Sequence, residues 1–217
     1  VLQGLGWLHE QGLVHRDVSP ENILIDKFGR VKVGDFGITR SGKMLRAEKG
    51  VLPGKLMYCS PEQLSGQTVD RRCDIYNVGL LMYFLLTGND RMRPEATLKN
   101  GRERVMAKMK KVPDTELRNV EARLTDMCRA CLQENPVDRY QTCEDLATDI
   151  DIYFKNSGKV VTNDAVEEIL NELFKEQPQF RSRRYIALTG SPDLEQPDYD
   201  PSLSEATPEE ASGPIPT

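Results

Sequence analysis

The segment DIYNVGLLMYFLLT, residues 74–87, is apolar on almost every side. A helix of that kind has no face to give to water and must be buried all round. Gly88 follows it as a stop. The rest of the chain therefore has to wrap this helix. At 217 residues and 38% hydrophobic content, it has the material for one globular domain with a core. The longest apolar run, VGLLMYFLL, is too short to cross a bilayer.

Other elements follow from local pattern. Leu2, Leu5 and Leu8 have helical spacing, with Gly12 as a stop. ILID and VKV read as two short strands around the turn KFGR. Residues 34–60 show no period and read as a long loop, a feature that is usually functional inside a compact domain. GRERVMAKMKK reads as a short basic helix, and EARLTDMCRACLQ as another that ends at Asn135-Pro136. Thr142 and Asp145 have capping-box spacing before CEDLATDIDIYF. DAVEEILNELF places Val166, Ile169, Leu170, Leu173 and Phe174 on one face, which needs an apolar surface to dock on. Beyond Pro178 the pattern dissolves. Seven of the 13 prolines fall between 178 and 217, and residues 191–217 hold seven acids and no Lys or Arg. This reads as a disordered acidic tail.

Removing those seven acids from a net charge of −5 leaves residues 1–190 near +2, which is no nucleic-acid footprint. Five cysteines in no framework spacing fit a reducing, cytoplasmic setting. Cys128 and Cys131 form a lone C-x-x-C on a helical pattern. Helix packing is the better reading than zinc, because the only histidines, His9 and His15, are far back in the chain.

Chemistry concentrates in VHRDVSPENILID and VGDFGITR. His15-Arg16-Asp17 followed by Asn22 matches H-R-D-x-x-x-x-N, and Asp35-Phe36-Gly37 matches D-F-G. Ser60-Pro61-Glu62 stands where A-P-E is usual. Asp74 and Gly79 match a D-x-x-x-x-G pattern in the buried helix, and Arg139 stands in ENPVDRY. In this order the motifs resemble a protein kinase, and HRDVSPEN with SPEQ is most similar to the bacterial serine/threonine kinases. The tyrosine-kinase loop H-R-D-L-A-A-R-N is not present.

The resemblance implies a mainly α fold with a small β element: the C-terminal lobe of a kinase over residues 1–155, without the N-terminal lobe in this chain. Residues 156–178 would be an appended amphipathic helix and 179–217 the acidic tail. It implies ATP and Mg²⁺ as cofactors, a protein substrate, and the missing N-terminal lobe as a partner in the parent chain. Asp17 would orient the substrate hydroxyl and take its proton. Asn22 and Asp35 would supply hard oxygen ligands to Mg²⁺, and Gly37 would give freedom to the backbone just after the metal ligand. Leu24 would lie under the adenine. His15 and Phe36 would stack in a column joining the lobes, and Glu62 would form a buried ion pair with Arg139.

Three departures matter. No G-x-G-x-x-G loop, V-A-I-K strand or partner-Glu helix occurs, so the isolated chain is expected to bind nucleotide weakly and transfer phosphate negligibly. Ser19 occupies the place of a Lys common in serine/threonine kinases, and Lys55 occupies that of a bracing Thr. Lys55 either brings its ammonium to the vacated place beside Ser19, or points to solvent. Arg16 marks kinases switched on by a loop phosphate, yet residues 42–57 hold no Ser, Thr or Tyr, and Glu48 is the candidate fixed charge. The rival function is a non-catalytic binding or scaffold module. The presence of Asp17, Asn22 and Asp35 together argues against it.

Overall fold

In the computed structural model, residues 1–35, 58–88 and 117–175 are described, together with the backbone of 185–187. The long apolar segment forms helix α3 (Arg72–Thr87), in which ten residues are buried. Gly88 ends it in the left-handed conformation (φ 70°), which a glycine adopts without a Cβ penalty. The other helices are α1 (Leu2–Glu10), the short α2 (Pro61–Ser65), α4 (Ala122–Cys131), α5 (Cys143–Ser157) and α6 (Asn163–Leu173).

One side of α3 joins Leu5, Val18, Ile23, Met127 and Leu146 in the main core. The other side packs Tyr76, Leu80 and Tyr83 against Tyr58, Leu117 and Leu132. Gly79 is the closest approach: a Cβ there would stand 2.6 Å from the Cys131 Cβ of α4. Cys128 and Cys131 are buried free thiols in this contact, and burial holds the Cys131 thiol well above its usual range. They are packing residues, as the helical pattern suggests.

Strands β1 (Ile23–Asp26) and β2 (Val31–Val33) are antiparallel, with Ile23 opposite Val33, Leu24 opposite Lys32 and Ile25 opposite Val31. The turn between them is set by Asp26. Its carboxylate accepts the amides of Phe28 (3.0 Å) and Arg30 (2.9 Å) and the Arg30 guanidinium (2.6 Å), an arrangement typical of Asp in tight turns. Capping by Thr142 is as read from sequence: its hydroxyl accepts the Asp145 amide at 3.0 Å, and the Asp145 carboxylate accepts the Thr142 amide at 3.1 Å.

Two features depart from the sequence reading. A third strand, β3 (Tyr185–Ala187), pairs antiparallel with β1 on the edge opposite β2, so the sheet has order β2-β1-β3 rather than two strands. The sequence reading places no element there. Helix α6 covers its apolar face only in part: Val166, Leu170 and Phe174 are half-buried, none of the helix residues is fully buried, and Ile169 and Leu173 are 59% and 66% exposed. It touches the β1–β2 turn, where its Asn163 carbonyl and Glu167 amide lie over Gly29. The expected basic helix at 101–111 and most of the acidic tail lie outside the described residues. Among the described residues, no helix is long and apolar enough to cross a membrane.

Candidate active site

The site grows from the loop between α1 and β1. Arg16 takes the left-handed conformation (φ 65°), unusual for a side chain of its size. Such a conformation persists only where neighbours hold it, and Asp74 is the neighbour. From the first turn of α3 its fully buried carboxylate accepts the amide of His15 at 2.9 Å and that of Arg16 at 2.7 Å. Gln63 of α2 holds the other side, donating to the Arg16 carbonyl at 3.0 Å while its own carbonyl oxygen accepts the Ser60 amide at 2.9 Å.

Asp17 comes next and is 5% exposed. Its amide donates to His15 Nδ1 at 3.3 Å. Its carbonyl accepts the Asn22 side-chain amide at 2.7 Å. With its Nδ2 committed to that bond, Asn22 has its Oδ1 left over. That oxygen accepts no hydrogen bond among the described residues, so the donor set includes a hard neutral oxygen of the type Mg²⁺ takes.

The hairpin then brings the second half of the site back. Gly34 donates to the Asn22 carbonyl at 2.8 Å, one step beyond the Ile23–Val33 pair, and the Gly34 carbonyl lies 3.1 Å from His15 Nε2. Asp35 is therefore delivered to the same end of the hairpin as Asn22. It is exposed and left-handed (φ 52°), a conformation Asp tolerates better than most residues. Ser19 is buried just before the short turn Pro20–Asn22. Leu24 is half-buried in β1, with its Cδ1 3.1 Å from where a Cβ on Gly34 would stand.

A second set ties this loop region to the helices. Arg139 puts two 2.8 Å bonds on the Glu62 carboxylate. Its remaining donors reach the carbonyls of Gln133, Arg72 and Glu134 at 2.8, 3.0 and 2.9 Å, and its guanidinium lies 4.8 Å from the Tyr76 ring centroid. Every donor direction of the fork is used, which makes a buried charge tolerable.

Of the residues singled out from sequence, His15, Asp17 and Asn22 are linked by hydrogen bonds to one another or to Gly34, which Leu24 approaches and Asp35 follows; Arg16 is held by Asp74, and Glu62 pairs with Arg139. Phe36, Gly37, Glu48 and Lys55 lie outside the described residues. Sequence reasoning missed Gln63 and His9. Gln63 had a signal, the S-x-x-Q capping spacing from Ser60. His9, 2.8 Å from Asp74 Oδ2, had none, since its partner is 65 positions away.

Comparison with known proteins identifies the family. Residues 1–149 match the family model described as the protein kinase domain. The chain is 36% identical over 152 residues to the serine/threonine-protein kinase PknL of Mycobacterium tuberculosis, covering 70% of this chain and 38% of the relative. It is 35% identical over 153 residues to PknB of Mycolicibacterium smegmatis, covering 68% and 24%. The twitchin kinase region from C. elegans superposes with a TM-score of 0.51 at 25% identity, over 68% of this chain and 26% of that one. The chain thus spans about a quarter to two fifths of the length of these relatives.

Proposed function

Because the chain belongs to the protein kinase family, and to its bacterial serine/threonine type, we propose that it is the C-terminal lobe of an enzyme that moves the γ-phosphate of Mg·ATP to a serine or threonine hydroxyl of a protein. The observation that carries this reading is the hydrogen-bonded circuit from Asp17 through Asn22 to Gly34, with Asp35 adjoining. Phosphoryl transfer asks a protein mainly for positioning and charge neutralisation.

Asp17 orients the acceptor hydroxyl and takes its proton. Asn22 Oδ1 and the Asp35 carboxylate hold the metal, which when bound neutralises the charge of the transferring phosphate. Leu24 forms the floor under the adenine, and His15 with Phe36 links the floor to the upper lobe. Ser19 lines the nucleotide side, and Lys55 brings the positive charge that a Lys at position 19 brings elsewhere. Glu62 and Arg139 brace the substrate loop. Arg16 responds to a fixed charge at Glu48 rather than to a loop phosphate. The five free, buried cysteines fit a reducing cytoplasmic setting.

The test is phosphate transfer from γ-labelled ATP to a generic protein substrate in Mg²⁺, using the longer protein that carries this chain. Asp17→Asn and Asp35→Asn should each lower turnover by about 10²-fold or more, the range for a general base or metal ligand. Lys55→Met should lower kcat, and the isolated 217 residues should show negligible transfer. An intact longer protein that binds partners yet shows no turnover would favour the scaffold reading instead.

A further inference from the structure

Asp74 has a further partner that the family motifs do not name. His9, in the last turn of α1, lies with Nε2 2.8 Å from Asp74 Oδ2, and its side chain is 5% exposed. The opposite ring nitrogen, Nδ1, lies 3.7 Å from Sγ of Cys143, the first residue of α5. This approach exists because α1 and α5 pack closely: a Cβ on Gly6 would stand 3.8 Å from the Cys143 Cβ.

Proton accounting assigns the donors. An ionised carboxylate only accepts, and Asp74 already accepts the amides of His15 and Arg16. His9 Nε2 must therefore carry a proton. A neutral ring then presents Nδ1 as an acceptor, and the facing thiol is the donor for it. Burial, with a smaller contribution from Asp74, pushes the Cys143 thiol up to about 12, so it keeps its proton. Thiol, imidazole and carboxylate each satisfy the next.

We propose that Asp74 sets the Nε2–H tautomer of His9, that the Cys143 thiol donates to the Nδ1 acceptor this leaves, and that His9 and Cys143 act as positioning residues, holding Asp74 and through it the left-handed Arg16 that aims Asp17. The line runs from α5 through α1 and α3 to the catalytic loop. Its consequence for turnover rests on the kinase reading, whereas the tautomer does not.

Two measurements separate these. In ¹⁵N-detected NMR of this chain, His9 should show the Nε2–H tautomer. Cys143→Ala should shift the Nδ1 resonance, and Cys143→Ser, which keeps a donor, should leave it close to the original. A wild-type Nδ1–H tautomer, or an Nδ1 resonance indifferent to Cys143→Ala, overturns the proposal whatever the protein's activity. In the longer kinase, His9→Leu should lower kcat about tenfold, the effect of leaving one buried polar group unsatisfied, with the KM for ATP nearly unchanged. His9→Gln, which keeps a donor, should recover most of kcat. If His9→Gln loses as much kcat as His9→Leu, or if KM rises with the fall in kcat, the positioning role is wrong even where the tautomer is right.

Discussion

Glu62 and Arg139 meet across 77 positions of chain through two 2.8 Å bonds, with side chains 3% and 0% exposed. The pair fastens α2, directly after the loop that carries Ser60, to the segment behind α4. Removing one partner leaves the other charge buried and alone, which costs far more than the pair itself contributes. Arg139→Met is therefore expected to lower the unfolding free energy by about 3–5 kcal/mol in urea titration. The double variant Glu62→Gln/Arg139→Met should lose less than the sum of the two single variants. Strict additivity would mean the two side chains are not coupled.

Asp26 predicts an acid limb. Burial alone would raise its carboxyl, but the amide and guanidinium of Arg30 and the amide of Phe28 together hold it below its ordinary 3.8. A depressed folded value stabilises above 3.8 and is lost as pH falls through the folded value, so the window lies below about pH 4. The β1–β2 turn should loosen there, read as faster hydrogen exchange at the Phe28 and Arg30 amides. Asp26→Asn should flatten that dependence. An exchange rate equally steep in the variant would assign the acid limb to another group.

The legible parts of this molecule are those with a local signal. β1 and β2 could be read because β-branched runs flank the turn KFGR, and α3 because it is apolar all round. The loop from His15 to Asn22 could be read because it carries the H-R-D-x-x-x-x-N spacing, followed at Asp35 by D-F-G, of the family the chain resembles. β3 could not: Tyr-Ile-Ala is three residues long, and its pairing with β1 joins segments about 160 positions apart. His9 and Cys143 escaped for the same reason, being 134 positions apart and in contact only after α1 and α5 have packed. For α6 the stripe was legible, and Val166, Leu170 and Phe174 on it are half-buried. An apolar stripe states a need for cover, and Ile169 and Leu173 remain largely exposed.

Gly29 tests how α6 is held. It is left-handed (φ 72°), and an added Cβ would fall 2.1 Å from the Asn163 carbonyl oxygen. Gly12 has nearly the same backbone (φ 71°) with nothing within 4 Å. Alanine at either position incurs the left-handed penalty, about 1–2 kcal/mol. Only Gly29→Ala should also displace the start of α6, raising hydrogen exchange across Asn163–Leu173. Equal protection of α6 in the two variants would show that its N-terminus does not rest on the turn.

Gly79 offers the same logic in the core. In an exposed helix, replacing Gly by Ala stabilises by about 0.5–1 kcal/mol, because the unfolded chain loses freedom. Gly4, in α1 with nothing within 4 Å of its added Cβ, should behave that way. At Gly79 the new methyl would lie 2.6 Å from the Cys131 Cβ and 3.0 Å from Leu132 Cδ2. Neither is the end of a long flexible chain, so α3 and α4 must separate, and overpacking of this sort costs about 1–3 kcal/mol. Opposite signs are thus expected for Gly4→Ala and Gly79→Ala in thermal or urea unfolding. Adding Cys131→Gly to Gly79→Ala removes the nearest obstructing atom and should recover part of the loss beyond the cost of Cys131→Gly alone. A stabilising Gly79→Ala would mean that α3 and α4 are not in the close contact seen between Gly79 and Cys131.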